Sequence, residues 1–468
     1  MQFTIQVSVK DDFGETTIED IISLDKVPDN PDDIGLSLME SKSLLKSLQN
    51  LMVSHQAELY TKTHLNCPHC QKKRRIKGHY GIHYRTLFGI VPLSSLRVYN
   101  CDCKVIPAKT TSLLTDWIPD HNSPELQYIE TKWASLMAYG LTSNLLKDIL
   151  PVGTALNAST VRNHLHKVAK RQENDLEGKP EYISGCAYEW GNLPKPGKPI
   201  TVGIDGGYVR NWYEKKTNFE VVAGKSFSKE KAPKRFGFVQ KIDDHPRKKL
   251  MSMLSDQGMQ NNQQITFLSD GADNLRDLQF MMYPESLHIL DWFHVTMRFT
   301  VLNQFAKGMK KSDPKDGAMI FKDLESAKWY LWHGNVQESL EKIGECCDVC
   351  YDDELHYENR KKFYKHLSEM YTYIENNQPM IPNYGERYRY DEIISTAFVE
   401  STINEVVAKR MVKKQQMQWS HKGAHYLLQT RTAVLNGDLK NIFSGWYPGL
   451  KIEGQAEKQY IPDLNLAA

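Results

Sequence analysis

Apolar and polar positions alternate from Phe3 to Val9 and from Thr16 to Leu24, which predicts a strand pair, and the spacing then turns helical up to about Tyr60. Polar, cation-rich ribbons follow. Pro124 opens a helix through Ala138, a shorter helical stretch covers about Ser143 to Leu150, and a break at Pro151 to Asn157 precedes a third helix from Ala158. Gly178 to Pro199 is rich in Gly and Pro and reads as a linker. Beyond it, Pro199 to Val209 is an apolar, β-branched run interrupted by Asp205-Gly206-Gly207. Phe219 to Phe227 and Arg235 to Ile242 complete a three-stranded meander. A helix from Pro246 to about Met259, a strand from Gln264 to Leu268, a helix capped by Asp273 or Asn274, a strand from Ser286 to Leu290 and a long helix come next. About a hundred helix-like, charged and aromatic residues then separate His294 from Ile394, before a helical pattern from Ala397 to Val412.

The patterns divide the chain into a strand pair and helix (1–60), a ribbon (61–110), a helical module (120–178), a linker (179–198), a core in two parts (199–294 and 395–440) split by a helical insertion (295–394), and a turn-rich tail (441–468). The order strand, strand, strand, helix, strand, helix, strand, helix is that of the ribonuclease H-like fold. That is an α/β core with a mixed five-stranded sheet, in which the carboxyl ends of neighbouring strands bring two aspartates together.

Asp205 falls in or at the end of the first of these strands, and Asp270 at the end of the fourth. Alone, each is as well explained as an Asp-Gly turn. Together, in this strand order, they read as metal ligands. Mg²⁺ or Mn²⁺ favours oxygen donors, so two Asp and one Glu suffice for a pair of ions about 4 Å apart. Glu400 and Glu405 share the last helical segment and diverge by about 140°, so only one can face the metals. Glu400 is preferred, because Lys409, Arg410, Lys413 and Lys414 would then form a basic patch within reach of phosphates; Glu405 is the alternative.

Upstream, Cys67-Pro68-His69-Cys70 and Cys101-Asp102-Cys103 make a CxxC and CxC pair whose spacing suits two knuckles holding one structural Zn²⁺, with His69 as a competing ligand. Cys346, Cys347 and Cys350 have no matching second pair and read as core or incidental. Between the knuckles, Lys72, Lys73, Arg74 and Arg75 lead into aromatic-bearing ribbons, a pattern that suits phosphate contacts and stacking. The third helix carries Ser159, Thr160, Arg162 and Asn163 in its first turn, as the reading helix of a helix-turn-helix would.

Ile204-Asp205-Gly206-Gly207, Ser269-Asp270-Gly271-Ala272, Leu290-Asp291-Trp292-Phe293-His294, the run from Val399 to Arg410 and Gln418-Trp419-Ser420-His421-Lys422-Gly423-Ala424 resemble the DDE transposases of bacterial insertion sequences, in their ISKra-type branch, related to the Mutator-like and hAT groups. The resemblance spans about Glu125 to Leu439. It implies that Asp205, Asp270 and Glu400 bind the metals, that Asp291 and His294 support the second aspartate, and that a helical insertion precedes the Glu. It also implies a DNA transposase that binds terminal inverted repeats, hydrolyses a phosphodiester and transfers the strand to target DNA. A DNA-binding regulator derived from such an enzyme, or a ribonuclease H-like nuclease without strand transfer, is the alternative. Trp419 would either stack on an unpaired base or pack under the last helix.

Composition changes this picture little. At 468 residues the chain should hold two to four domains, and a net charge of +2 requires a DNA-binding protein to segregate its cations. No apolar stretch reaches membrane-spanning length and no targeting segment is evident, so the expectation is a cytoplasmic, nucleoid-associated protein with no membrane partner. Pairing two DNA ends calls for a homo-oligomer.

Overall fold

The computed structural model describes the chain except residues 11–15, 28, 104–107, 180–186, 195, 198, 230, 352–356, 396–400, 413–416 and 453–468. The backbone forms two compact units, one comprising Met1–Lys170 with the segment that begins at Gly437, the other running from Arg171 to Asn436.

In the first unit, β1 (Gln2–Lys10) and β2 (Thr16–Asp25) pair antiparallel, and helix α1 (Leu38–Thr63) follows. Ser37 and Glu40 close a capping box at its start. A second antiparallel sheet contains β3 (Ile76–Thr86), β4 (Gly89–Tyr99) and the short β5 (Thr110–Ser112). Val53 and Ala57 of α1 pack on Ile82, Val91, Leu93 and Leu114, the last from α2 (Leu113–Trp117). The N-terminal helix therefore supplies the apolar floor of the ribbon. Helices α3 (Pro124–Leu136), α4 (Tyr139–Ile149) and α5 (Ala158–Glu177) come next. Residues 150–157 between α4 and α5 exceed the three or four residues of a helix-turn-helix turn.

The C-terminal region departs from the expected turn-rich tail. Residues Leu439–Trp446 form a helix that packs back on α3, with Phe443 edge-on to Tyr128 at 5.5 Å. Its apolar positions Leu439, Ile442, Phe443 and Trp446 recur at helical spacing, and Leu439 and Phe443 are buried.

The second unit contains the expected mixed five-stranded sheet. After a short helix α6 (Ala187–Gly191), strands β6 (Ile200–Arg210), β7 (Asn218–Phe227) and β8 (Lys234–Phe238) form an antiparallel meander. Helix α7 (Pro246–Asp256) leads to β9 (Ile265–Ser269), which pairs parallel to β6, and α8 (Asp273–Met282) leads to β10 (Leu287–Leu290), parallel to β9. The strand order is β10-β9-β6-β7-β8. Val202, Ile204, Ile265 and Phe267 meet Leu250, Leu254, Leu275 and Leu278 of α7 and α8 in one core.

The segment between β10 and the last helices is helical, as its sequence predicts: α9 (Trp292–Ser312), α10 (Pro314–Trp332), α11 (Val336–Tyr351), α12 (Arg360–Asn377) and α13 (Tyr384–Arg389). They carry their own core, and Cys346 and Cys350 are part of it. Residues Asn404–Val412 form a π-helix, a wider winding than the α-helix the spacing predicts. No helix among the described residues is long and apolar enough to cross a membrane.

Candidate functional site

Two chemical centres emerge, one in each unit. In the first, the turn before β3 and the turn after β4 bring Cys67, Cys70, Cys101 and Cys103 together, with all four Sγ atoms within 4.8 Å of one another. The closest pairs, Cys67 with Cys103 and Cys70 with Cys101, are 3.6 and 3.4 Å apart. That is well beyond a disulfide bond of about 2 Å and near the edge of a tetrahedron with metal–sulfur bonds of about 2.3 Å. Backbone N–H groups of Cys70 and His69 lower the Cys67 thiol to about 6, and the Cys103 N–H group lowers Cys101. Sharing of hydrogen bonds with Cys101 and Cys67 pushes Cys103 up to about 12. Four sulfurs this close ionise together only around a cation, so the cluster could hold a structural metal such as zinc. His69 is exposed and stands outside the group.

The second centre depends on sheet register. Ile200 pairs with Ile265 and Gly203 with Leu268, an offset of 65 residues that also relates Asp205 to Asp270. Strands alternate their side chains, so Asp205 shares a face with Gly203 and Gly207, opposite the face that Val202 and Ile204 bury on α7 and α8. By the same count Asp270 follows Leu268, which packs away from that core against Ile289, Tyr384 and Ile394. Both aspartates lie two residues past the last paired positions of the β6–β9 ladder, Gly203 and Leu268, and continuing the alternation over those two residues assigns them to one face. Both are half-exposed. Asp205 Oδ1 accepts from the Gly206 N–H group at 2.7 Å and Asp270 Oδ1 from that of Ala272 at 3.0 Å.

Glu400 lies outside the described residues. The helix beginning at Ser401 packs on the aspartate face, where a Cβ on Gly207 would touch Val407 and Ile403 at 3.4 and 3.5 Å. Glu405 is engaged elsewhere: its carboxylate accepts from Arg235 Nε at 2.7 Å. Asp291 is fully buried, caps α9 by accepting from the Phe293 N–H group at 2.9 Å, and lies 3.5 Å from His294 Nε2. Its own N–H group donates to the Ser269 carbonyl at 2.8 Å, which ties the end of β10 to the residue before Asp270. This is a supporting position.

Some residues near the acids were not evident from the sequence. Tyr373 of α12 donates its hydroxyl to the Asp270 carbonyl at 2.9 Å, and Tyr384 of α13 does the same to Leu290 at 2.8 Å. Burial raises both phenols above their ordinary range. Arg298 lies over the Tyr373 ring at 4.0 Å, and an open cleft of about 720 Å³ extends beside Gly271 between α9 and α12. Glu220 accepts from Asn274 at 2.8 Å, and its carboxylate occupies the space a Cβ on Gly206 would take. A Cβ at Gly206 would therefore displace the Glu220 carboxylate. Only the fold pairs these residues, and no motif marks them.

The expected DNA contacts divide. Lys72, Lys73 and Arg75 are exposed, and Arg75 lies 4.8 Å above the Tyr99 ring. Arg74 is half-buried and donates to the His64 carbonyl. On α5, Ser159, Arg162 and Asn163 are exposed, whereas the Thr160 hydroxyl is bound to Asn157, which caps the helix. Lys409 is exposed, but Arg410 is not the phosphate contact expected of it. Its side chain is fully buried, 5.3 Å from the Trp419 ring centre, and donates to Met417 Sδ at 3.3 Å. The reason is spacing, since Arg410 falls four residues after Val406 and three after Val407, on the apolar face. Trp419 is itself buried, with Nε1 directed at the Met411 carbonyl at 3.4 Å, so it packs under the helix and cannot stack on a base. Lys413 and Lys414 lie outside the described residues.

No protein-family model matches the chain, and no curated protein is significantly similar to it.

Proposed function

We propose that this chain is a DNA transposase of the DDE type, with a ribonuclease H-like core, that cleaves a phosphodiester at the ends of its element and joins the freed strand to target DNA. The observation that carries this reading is the shared offset of β6 and β9, which, carried two residues past the last pair, brings Asp205 level with Asp270. The strand order β10-β9-β6-β7-β8, with a meander followed by two parallel strands, supports the fold assignment. Half-exposed hard oxygen donors on the central strands fit Mg²⁺ or Mn²⁺, with Asp205, Asp270 and Glu400 as ligands. Two such ions, when bound, activate the attacking oxygen and neutralise charge on the leaving one.

The chain's own groups hold that arrangement. Asp291 and Tyr373 fix the backbone on either side of Asp270, and Gly206 leaves space for the Glu220 carboxylate beside the strand that carries Asp205. The cysteine cluster with Lys72, Lys73 and Arg75, and α5 with Ser159, Arg162 and Asn163, would bind the inverted repeats. The protein would act as a homo-oligomer on the nucleoid.

The test is cleavage and joining of labelled DNA carrying the element's flanking ends, with Mg²⁺ or Mn²⁺. Asp205→Asn, Asp270→Asn and Glu400→Gln should each cut activity beyond the ~10–100-fold typical of a lost outer-shell partner, with DNA binding retained. Glu405→Gln should cut normally, because Glu405 serves Arg235. Tight DNA binding without cleavage by the intact protein would instead favour a regulator.

A further inference from the structure

Strands β6 and β7 do not stop where the acids stand. The last β6 residue paired with β9 is Gly203, whereas the β6–β7 ladder continues to Arg210 opposite Asn218. The hairpin thus runs five residues past Asp205, roughly 17 Å, as a two-stranded ledge beyond the sheet.

The ledge is firmly built. Asn211 N–H donates to the Thr217 carbonyl at 3.0 Å, Tyr213 N–H to Asn211 Oδ1 at 3.0 Å, and Thr217 N–H to the Glu214 carbonyl at 2.9 Å. Trp419 adds a short parallel bridge, with its N–H donating to Arg210 at 2.8 Å and its carbonyl accepting from Trp212 at 2.9 Å. Val209 and Phe219 bury the underside, where Phe219 stacks on His421 at 4.2 Å. Apolar residues that could be covered are covered.

The other side chains are not. Tyr208, Trp212 and Tyr213 are 64, 58 and 76 % exposed, three large aromatics within six residues. Arg210, Lys215 and Lys216 are exposed beside them; of the two acids, Glu214 accepts from the Thr217 hydroxyl at 3.2 Å and Glu220, opposite Tyr208, from Asn274 at 2.8 Å. Aromatic faces interleaved with cations on a rigid edge match a polyanion with flat bases. A protein partner is a poorer fit, since Lys215 and Lys216 are of a residue type depleted at protein interfaces.

We infer that the β6–β7 hairpin is a nucleic-acid platform. It receives a single strand of nucleic acid, with Trp212 and Tyr213 stacking on unpaired bases and Arg210, Lys215 and Lys216 neutralising phosphates. The platform rests on the hairpin and not on the proposed role of the acids.

The experiment uses the full chain with a 5-iodouracil-substituted single strand and a blunt duplex of the same sequence, cross-linked by light and mapped by mass spectrometry. Cross-links on the 208–216 peptide are expected, stronger with the single strand. Trp212→Ala and Tyr213→Ala should each weaken single-strand affinity about ten-fold. Replacing Arg210, Lys215 and Lys216 with Ala should reduce the salt slope of binding by about two. These exposed positions can be changed without disturbing the core. Cross-links confined to other peptides, or affinity unchanged in both variant sets, would overturn the platform. If that happens while Asp205→Asn and Asp270→Asn abolish metal-dependent cutting, the platform alone is lost. If the peptide cross-links but the intact protein never cuts, the platform stands and the transposase reading falls.

Discussion

The cysteine cluster and the aspartate pair both depend on strand pairing, yet the chain reaches them by different routes. The sulfur pairs are 36 and 31 residues apart in sequence, and one hairpin, β3–β4, closes the gap between the two knuckles. The aspartates are related only through the parallel pairing of β6 and β9, with α7 between those strands and a shared core beneath them. A local site of this kind depends on what it binds. A site made by register depends on the sheet, and should keep its shape whether or not a metal is present.

Metal removal should expose that difference most strongly. Structural zinc in small knuckles contributes apparent binding energies of about 10–16 kcal/mol that are also folding energy. Chelation, or Cys70→Ser, should therefore take zinc content from one per chain to none and unfold the ribbon, read as lost protection of β3 and β4 amides in hydrogen exchange. The amides of β6 and β9 should keep their protection. Equal loss in both sheets would show that the two centres are not independent.

Acid should act in the opposite sense, on the register-built centre. His288 on β10 is half-buried, its Nε2 lies 2.8 Å from Ser269 Oγ, and burial first, then Arg276, lowers it to about 4. Its folded value lies below its ordinary one, so the neutral ring is the form the fold stabilises. That contribution is complete above about pH 6.5, declines as the pH falls toward about 4, and is level below. The full span is about 3 kcal/mol. Urea midpoints of the second unit should fall across this window in the wild type and hold steadier in His288→Gln. Parallel pH profiles for the two proteins would remove His288 from the account.

The same contrast explains what could be read from the sequence. CxxC and CxC announce themselves, because the ligand type and the spacing are the signal, and the structure brings those four sulfurs together. The strand order and the five-stranded mixed sheet were legible because Pro199 to Leu290 switches cleanly between periods of 2 and 3.6. Arg410 was misjudged by reading charge before face: its spacing from Val406 and Val407 already assigned it to the core. Glu220, Tyr373 and Tyr384 carried no such signal. A tyrosine that bonds a carbonyl 103 residues away is indistinguishable in sequence from any other on an amphipathic helix. The exposed hairpin aromatics Tyr208, Trp212 and Tyr213 were hidden too, since no spacing in the sequence marks them as uncovered.

The smallest expected effect tests whether the helical insertion belongs to the acid centre or merely interrupts it. Tyr373→Phe keeps the buried ring and its place beneath Arg298 but removes the hydroxyl that donates to the Asp270 carbonyl. Losing one such bond should cost about 1 kcal/mol of stability. If the bond also holds the Asp270 turn in its metal-ready position, Mn²⁺ affinity should drop as well, by up to about ten-fold, at the low end for an outer-shell partner. Tyr384→Phe provides the control, because its hydroxyl holds Leu290, one strand further from Asp205. It should lower stability by a similar amount with a smaller change in Mn²⁺ binding. Mn²⁺ titration of both variants, beside their urea midpoints, separates the two roles: equal stability losses with unequal affinities would make Tyr373 a positioning residue, and equal affinities would leave the insertion a purely structural support.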